Sequence, residues 1–585
     1  MLIDARTLPT DQTIETDVCI VGAGPAGIAV ARELMGQNFR VCLLETGGLK
    51  PDAEIQSLAA AEGNTVGDQY PGAIHMRHRQ FGGTSYPWNI KIGGNRRGVR
   101  YVPLDSIDFE KREGVPYSGW PFDKSHLDPF YERAQTFCQL GPYAYAPEDW
   151  EDENSPRLPF TGNRITTKMF QCGPRDIYPD DYRRELEQAS NITIYLHSTA
   201  VELETDDEAK TVKRVRVACL QGTQFWVSAK QFILSMGGIE NARLLLLSDK
   251  VQKNGLGNQH DLVGRFLMDH PMVRGGFLYP SSPKIFNSTA LYDLRELKGT
   301  SVIGKLSLTD EVLRREKLLN ITAALFPRTN RHKINLLRAI FPNGKNYRSE
   351  AVSSAQALLE AARQKKIPHD LFKHLGNMIT GLDDLLFFEW RKKPRLGWLL
   401  SLFDAPGYGF DLGGWSDLPH PEKTFGVFEV AHQTEQAPDP DNRVTLGTEL
   451  DRLGCRKVKL YWRWTDTDLN SIKRAQEIFA EEIARAGLGT FKIARDKGSP
   501  VPITLSTHHH MGTTRMHVDP KQGVVDPNCQ VHGVSNLFMA GSSVFPTGSF
   551  ANPNLTIVAM SIRLADHVKK VMAQSPVLDL QDVVK

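Results

Sequence analysis

The chain has 585 residues, 41% hydrophobic and 24% charged, with 70 Lys or Arg against 68 Asp or Glu. That length exceeds one ordinary core and calls for two or three domains. A net charge of +2 offers no global attraction to nucleic acid, and the seven scattered cysteines form no CxxC or zinc-like spacing.

Residues 1–15 are mixed polar, with no apolar secretory segment or twin arginine, so the first strand is expected near Thr16. No run of about eighteen apolar residues occurs, so no spanning helix is expected. With cysteine usage that fits a reducing compartment, the expectation is a cytoplasmic protein unless a partner carries it across a membrane.

Residues 17–45 read DVCIVGAGPAGIAVARELMGQNFRVCLLE. Val18 to Val21 predict a short buried strand, Ile28 to Met35 an apolar helix, and Arg40 to Leu44 a second strand ending in Glu45. Between them Gly22, Gly24 and Gly27 form GxGxxG, with Pro25 and Ala26 inside it. Such glycines let the backbone approach a pyrophosphate, which the helix N-terminus then receives. Glu45, 23 residues beyond Gly22, stands where an acid would bind adenosine ribose hydroxyls. It argues against a 2′-phosphate, which leaves FAD or NAD. The bland alternative is a tight strand–helix turn without a ligand.

Residues 81–89, FGGTSYPWN, place Gly82, Gly83, Thr84, Ser85 and Asn89 in a loop that can lie against a flat ring. Upstream, His75, Arg77, His78 and Arg79 form a basic cluster that could face phosphates or simply solvent. Residues 199–202 read as a strand end, where the backbone at Val201 could hold an adenine. Residues 231–248 repeat the strand–glycine–helix pattern with Gly237, and 536–543 (NLFMAGSS) end another strand in Gly541 and Ser542 before a helix at 555–568. Units of this kind at both ends of the chain imply an α/β fold. Its Rossmann-like nucleotide domain would be discontinuous, 1–275 plus 505–585, with an α+β substrate domain inserted at 276–504.

The insert contains a basic stretch. Residues 328–395 carry fourteen Lys or Arg and six Asp or Glu, a surplus of eight in a chain whose total is +2. Residues 351–366 and 371–390 read as amphipathic helices, followed by RKKPR (391–395) and LGWLLSLF (396–403). The region of about 328–405 is thus a helical insertion with a solvated basic face, a lid over the substrate mouth, or a contact through 328–403 with an anionic membrane surface or a partner. Residues 425–446 and 457–464 read as strands, with Leu460, Trp462 and Trp464 on one face, and 468–487 as an amphipathic helix. Gln433 and Glu435 are candidates to meet a substrate.

Near the C-terminus, residues 508–516 read HHHMGTTRM and 548–556 read GSFANPNLT. Oxidising an alcohol requires its proton to leave, and neutral imidazole is the side chain suited to accept it near working pH. An asparagine N–H can hold the developing alkoxide. If 508–510 is extended, His509 lies on one face and His508 and His510 on the other. Pro553 keeps Asn552 out of the helical region and opens a helix through Thr556, whose N-terminus could face a bound anion. The competing readings are histidines satisfied within a core, a zinc pair from His508 and His510, and Asn552 as a plain N-cap. His270, in MDHP, reads as structural.

Together, VGAGPAG with Glu45, FGGTS, MGGIENARLLLLS, LVGRFLMDHP (262–271), DPDNRVTL (439–446), HHHMGTTRM, GVVDPNCQVHGVSNLFMAGSSVFP (523–546) and ANPNLTIVAMSIRLADH (551–567) resemble the glucose–methanol–choline family of FAD oxidoreductases. The form of the last motifs is most similar to the branch holding pyranose 2-oxidase and bacterial sugar dehydrogenases. The resemblance implies FAD, an antiparallel sheet over the isoalloxazine and hydride transfer from an alcohol carbon to flavin N5. It also implies His509 as base and Asn552 as its partner. The segments 425–446 and 457–464 would supply that sheet. A histidine bonded covalently to flavin in pyranose 2-oxidase is matched here by Pro87, so noncovalent FAD is expected. The electron acceptor would be oxygen, a quinone or a protein. The family also contains flavin-bearing lyases, which remain the alternative activity.

Overall fold

The structure is a computed structural model that describes residues 1–329 except 69, 71–73, 75, 94 and 95; then 354, 355, 357–359, 361 and 370–380; and 413–574 except 505. His75 and nearly all of the basic insertion lie outside the described residues.

A six-stranded sheet runs in the order Leu2–Asp4, Ile192–Leu196, Val41–Leu44, Val18–Val21, Gln231–Leu234, Leu537–Met539, and every neighbouring pair is parallel. The VCIV, VCLL and QFIL strands are buried at every position, as a parallel sheet covered on both faces requires. Helix Asn554–Gln574 packs against both Pro25–Glu33 and Lys124–Phe137 beside it. Cys19 and Cys42 face each other across adjacent strands, buried and unbridged. Two strands precede the expected start near Thr16: Leu2–Asp4 forms the sheet edge, where the Met1 ammonium donates to the carbonyls of Glu187 and Ile192. Thr13–Glu15 joins a second sheet of four strands with Thr199–Thr205, Val212–Ala218 and Gln224–Ser228. Both early strands are too short and too polar to show a period.

The large sheet has ten strands and antiparallel pairing throughout. Its middle is Met272–Pro280, Phe425–Thr434, Ile321–Thr329, Thr300–Leu308 and Ile165–Pro174, continued by Arg97–Tyr101 and Ile90–Lys91. The strands between 90 and 174 therefore hydrogen-bond into the sheet of the middle segment, although they lie within the 1–275 span read as nucleotide-binding. One sheet face buries Met169, Leu306, Ala323, Leu325 and Val430 together with Ala475, Ile478, Phe479 and Ile483 of helix Asp466–Arg485. A capping box of Thr465 and Asp468 starts that helix. The other face turns Phe170 toward Phe550, with ring centroids 6.1 Å apart.

The strands at 443–450 and 456–462 do not join this sheet as expected. Arg443–Leu450 and Arg456–Trp462 pair with each other and with Val66–Gly67 in a separate three-stranded sheet. Leu460 and Trp462 do share its buried face, with Val444, Val458 and Tyr70. Of the expected helix at 371–390, Leu371–Thr380 is described as a helix, and its Phe372, Leu375 and Ile379 are exposed. Among the described residues no helix is long and apolar enough to cross a membrane.

Candidate functional site

One cavity of about 440 Å³ joins the two ends of the chain. Gly22, Gly24, Pro25, Ala26, Glu45, Gly83, Thr84, Gly237, Gly541, Ser542 and Pro553 line it, and so do Thr507 to His510. Gly22 has φ +103°, and a Cβ there would come within 2.9 Å of the Ser235 carbonyl oxygen. Gly24 and Gly237 are different: a Cβ on either would meet nothing within 4 Å. A side chain at these positions would enter the cavity, as expected of a cradle for a ligand's backbone-bound phosphates.

Other residues expected to contact the cofactor lie outside this lining. A Cβ on Gly27 would lie 1.9 Å from the Gly22 carbonyl oxygen, so this glycine permits the close packing of turn and helix. Gly82 has φ +90°, and Ser85 Oγ donates to its carbonyl at 2.7 Å. Asn89 offers its carbonyl to Arg97, Val201 sits in the four-stranded sheet, and the Thr556 hydroxyl pairs with Tyr131 at 2.9 Å. None of these six lines the cavity. The lining that sequence reading missed includes Thr46, Met76, Trp88, Ser235, Met236, Glu240, Asn554 and Ile557. For Ser235, Met236 and Glu240 the MGGIE motif was the available signal, and for Thr46, Trp88 and Asn554 it was an adjoining predicted residue, Glu45, Asn89 or Pro553.

Glu45 Oε2 accepts from Ala23 N at 3.0 Å and Oε1 from Gly47 N at 2.8 Å. Burial pushes its carboxyl above the ordinary value against the pull of these N–H groups and of Arg79. Arg77 and Arg79 of the basic cluster do not present bare charge to phosphates. Glu240 binds Arg77 at 2.7 Å and Arg79 at 2.8 Å. Burial opposes its ionisation, but Arg79, Arg77 and Arg243 hold its carboxyl well below the usual range.

The histidine segment is organised by Asp269. Its Oδ1 accepts from the backbone N–H groups of His270 (2.7 Å), His509 (3.0 Å) and Thr507 (3.2 Å) and from Thr507 Oγ1 (3.2 Å). Its Oδ2 accepts from Tyr70 Oη at 2.6 Å and Ser506 Oγ at 2.5 Å. Residues 508–510 are not extended: His508 has φ +65°, which breaks the alternation and sorts the three rings by a turn. His508 is exposed. His510 is buried against Met76 Sδ at 3.2 Å, and burial pushes its imidazole down to about 4. His509 turns to the cavity end, where Nε2 lies 3.5 Å from Asn552 Nδ2 and Nδ1 lies 2.9 Å from His270 Nδ1. Burial, then the neighbouring His270, holds His509 well below the ordinary histidine value, so the ring is neutral.

Gln433 and Glu435 serve the scaffold. Gln433 Nε2 donates to the Phe550 carbonyl at 2.9 Å, and buried Glu435 accepts both Arg112 guanidinium nitrogens and Asn320 N.

The residues fit a flavin dinucleotide. Asn552 Oδ1 and Asn554 Nδ2 are buried without hydrogen-bond partners, which is costly unless a ligand supplies them. The first turn of helix Asn554–Gln574 lines the same cavity through Asn554 and Ile557. Among the described residues no group of three His, Cys, Asp or Glu is arranged for a metal.

A parallel sheet with a glycine turn at its first helix, opening into a cavity that reaches the imidazole of His509, has the geometry of a dinucleotide-binding site. Residues 438–561 match the GMC oxidoreductase family in its C-terminal domain. Those residues carry that domain, and the chain is an oxidoreductase. It is 21% identical to the fructose dehydrogenase large subunit of Gluconobacter japonicus over 96% of this chain and 98% of that one. It is 23% identical to 2-methyl-1,2-propanediol dehydrogenase of Mycolicibacterium austroafricanum, over 96% of each. A shorter stretch, 21% of this chain and 23% of the relative, is 34% identical to C-glycoside 3-oxidase of Microbacterium trichothecenolyticum. The fold is similar to pyridoxine 4-oxidase from Mesorbium loti, with TM-score 0.50, 15% identity and coverage of 95% and 99%. It is also similar to formate oxidase of Aspergillus oryzae, with TM-score 0.51, 17% identity and coverage of 97% and 100%.

Proposed function

We propose that the chain oxidises an alcohol carbon of a sugar, glycoside or polyol with FAD, and that His509 takes the hydroxyl proton. One observation carries this reading: the cavity that begins at the glycine turn ends on His509, with Asn552 beside its Nε2. An alcohol is a very weak acid, so its proton must pass to a base as the C–H bond is broken. A neutral imidazole is such a base, and the Asn552 amide can donate to the oxygen as charge grows there. When bound, FAD supplies the two-electron acceptor for that carbon. Gly22 to Ala26 and Gly541–Ser542 would hold its phosphates, Glu45 its ribose, and the 83–88 loop its ring system. That loop offers Pro87 and Trp88 and no histidine, which supports noncovalent binding, although FAD modification is the subject of work on the Aspergillus oryzae formate oxidase.

The named relatives, dehydrogenases or oxidases of fructose, C-glycosides and a diol, support the substrate class. A relative that is a large subunit supports a partner for this chain, through which electrons would pass in place of oxygen or a quinone.

His509→Ala should retain yellow flavin and lose turnover by about 10²–10⁴-fold. A panel of sugars and alcohols with a dye acceptor, with and without oxygen, reads the substrate and the oxidase or dehydrogenase choice together. Anaerobic mixing with the substrate found should bleach the flavin. Turnover without bleaching would make the enzyme a lyase, and full activity in the His509 variant would move the base elsewhere.

A further inference from the structure

The end of the cavity holds two histidines in contact, and the contacts decide which ring nitrogen can act. His270 is fully buried, and its Nε2 lies 3.1 Å from the carbonyl oxygen of Gly548. A carbonyl only accepts, so Nε2 of His270 carries the proton. Burial keeps the ring neutral, and a neutral imidazole has one N–H, so His270 Nδ1 is a lone pair. That lone pair faces His509 Nδ1 at 2.9 Å, with the two rings 81° apart. Two lone pairs cannot share that distance, so His509 Nδ1 is the donor. Thr507 Oγ1, 3.0 Å from the same nitrogen, is a second acceptor, because its own proton is directed to Asp269 Oδ1 or the His270 carbonyl. A neutral His509 that is protonated on Nδ1 keeps its lone pair on Nε2, the nitrogen beside Asn552.

We infer that the Gly548 carbonyl and His270 set the tautomer of His509, so that His270 is a positioning residue that keeps Nε2 of His509 ready to receive a proton. The tautomer follows from the contacts alone; its use in catalysis rests on the proposed alcohol oxidation. The arrangement also serves the charged state. When His509 gains a proton on Nε2, its Nδ1–H goes on donating to a neutral ring, so the new cation keeps its acceptor and meets no second charge. The negative charge nearby belongs to Asp269, which holds the backbone N–H of His509 and orients the ring from behind.

The direct test is nitrogen NMR of histidine-labelled, FAD-loaded protein, with signals assigned through His270→Asn and His509→Gln. His509 should be protonated on Nδ1 and His270 on Nε2. A proton on His509 Nε2 overturns the inference. Kinetics supply the second test. His270→Phe keeps the ring volume and removes the acceptor, and should lower kcat by about 10–100-fold with flavin content and KM little changed. His270→Asn can return an acceptor oxygen near the position of Nδ1 and should recover most of that loss. Wild-type kcat in the Phe variant overturns the inference. So does an equal loss in both variants with flavin released, which would mark a purely structural role. If His270→Phe does not fold, the nitrogen shifts of the wild-type protein decide. A fully active His509→Ala protein would sink the proposed base and leave the tautomer assignment standing. An inactive His509→Ala protein beside an unimpaired His270→Phe protein would sink this inference alone.

Discussion

Asp269 shows how much one buried carboxylate can organise. Burial opposes its ionisation, but the imidazoles of His510 and His509 and the hydroxyls of Ser506 and Tyr70 hold it well below the usual carboxylate range. Asp269→Asn would turn an amide N–H₂ either toward backbone N–H groups, which only donate, or toward the Tyr70 and Ser506 hydroxyls, which would have to reverse their donation. It should cost about 1–3 kcal/mol of stability in urea unfolding. The shifted loop should cost at least about tenfold in kcat at normal FAD content, and a wild-type kcat would show that the loop does not depend on the charge. The buried histidines make a pH prediction. Burial pushes both His432 and His510 down to about 4. The unfolded chain would take up protons on these two rings near pH 6.5, the folded one only near pH 4. Their contribution to stability is therefore full above about 6.5 and is lost as pH falls through the window to about 4. An NMR titration should find both rings still neutral at about pH 5, and midpoints near the ordinary histidine value would contradict it. Asp269 was not singled out in sequence reading, and His270 was read as structural. Each is one ordinary residue in MDHP, and nothing local says that this segment lies against residue 509.

At the scale of elements, the glycine turn was legible because its demands are local. A strand of four apolar residues, three spaced glycines and an apolar helix specify one backbone path, whatever lies around it. The turn also separates two kinds of glycine. Gly24 has φ −83° and open space where a Cβ would stand, so Gly24→Val is compatible with the backbone and fills the cavity. The variant should fold with an unchanged far-ultraviolet spectrum and emerge colourless; yellow protein at full flavin content would place the cofactor elsewhere. Strand partners were less legible. KVKLYWRW alternates polar and apolar residues as a sheet strand should, and alternation does not name the sheet. Arg456–Trp462 accordingly pairs with Val66–Gly67, almost four hundred residues earlier, and not with the large sheet. The extended reading of 508–510 failed for a related reason. His508 has φ +65° where Ser506 Oγ holds its N–H and Asp269 holds that of His509, and Asp269, 240 residues from His509, is reached only by tertiary contact.

At the scale of the molecule, the cavity is a seam between distant segments: residues 22–26 and 45–46 form one wall, 235–240 another, and 507–557 the end. A ligand that touches all of them stabilises the whole chain through mass action. FAD at about a hundred times its dissociation constant should add about 2.7 kcal/mol. Stripping the flavin should therefore lower the melting temperature, and adding it back should restore it. An unchanged melting temperature would mean that the segments hold together without a ligand between them.

The amino-acid sequence alone determined the chemistry on offer: a glycine turn between strand and helix, an acid at the end of the next strand, and a histidine segment with an asparagine 43 residues on. It could do so because each of these is a short run whose backbone and side-chain types are constrained by neighbours in the chain. Tertiary structure decided which imidazole meets Asn552, which nitrogen of it is bare, and that Asp269 and His270 stand behind it. Those choices depend on hydrogen bonds between groups some 240 residues apart, and a buried donor or acceptor must find its partner in space before its role is set.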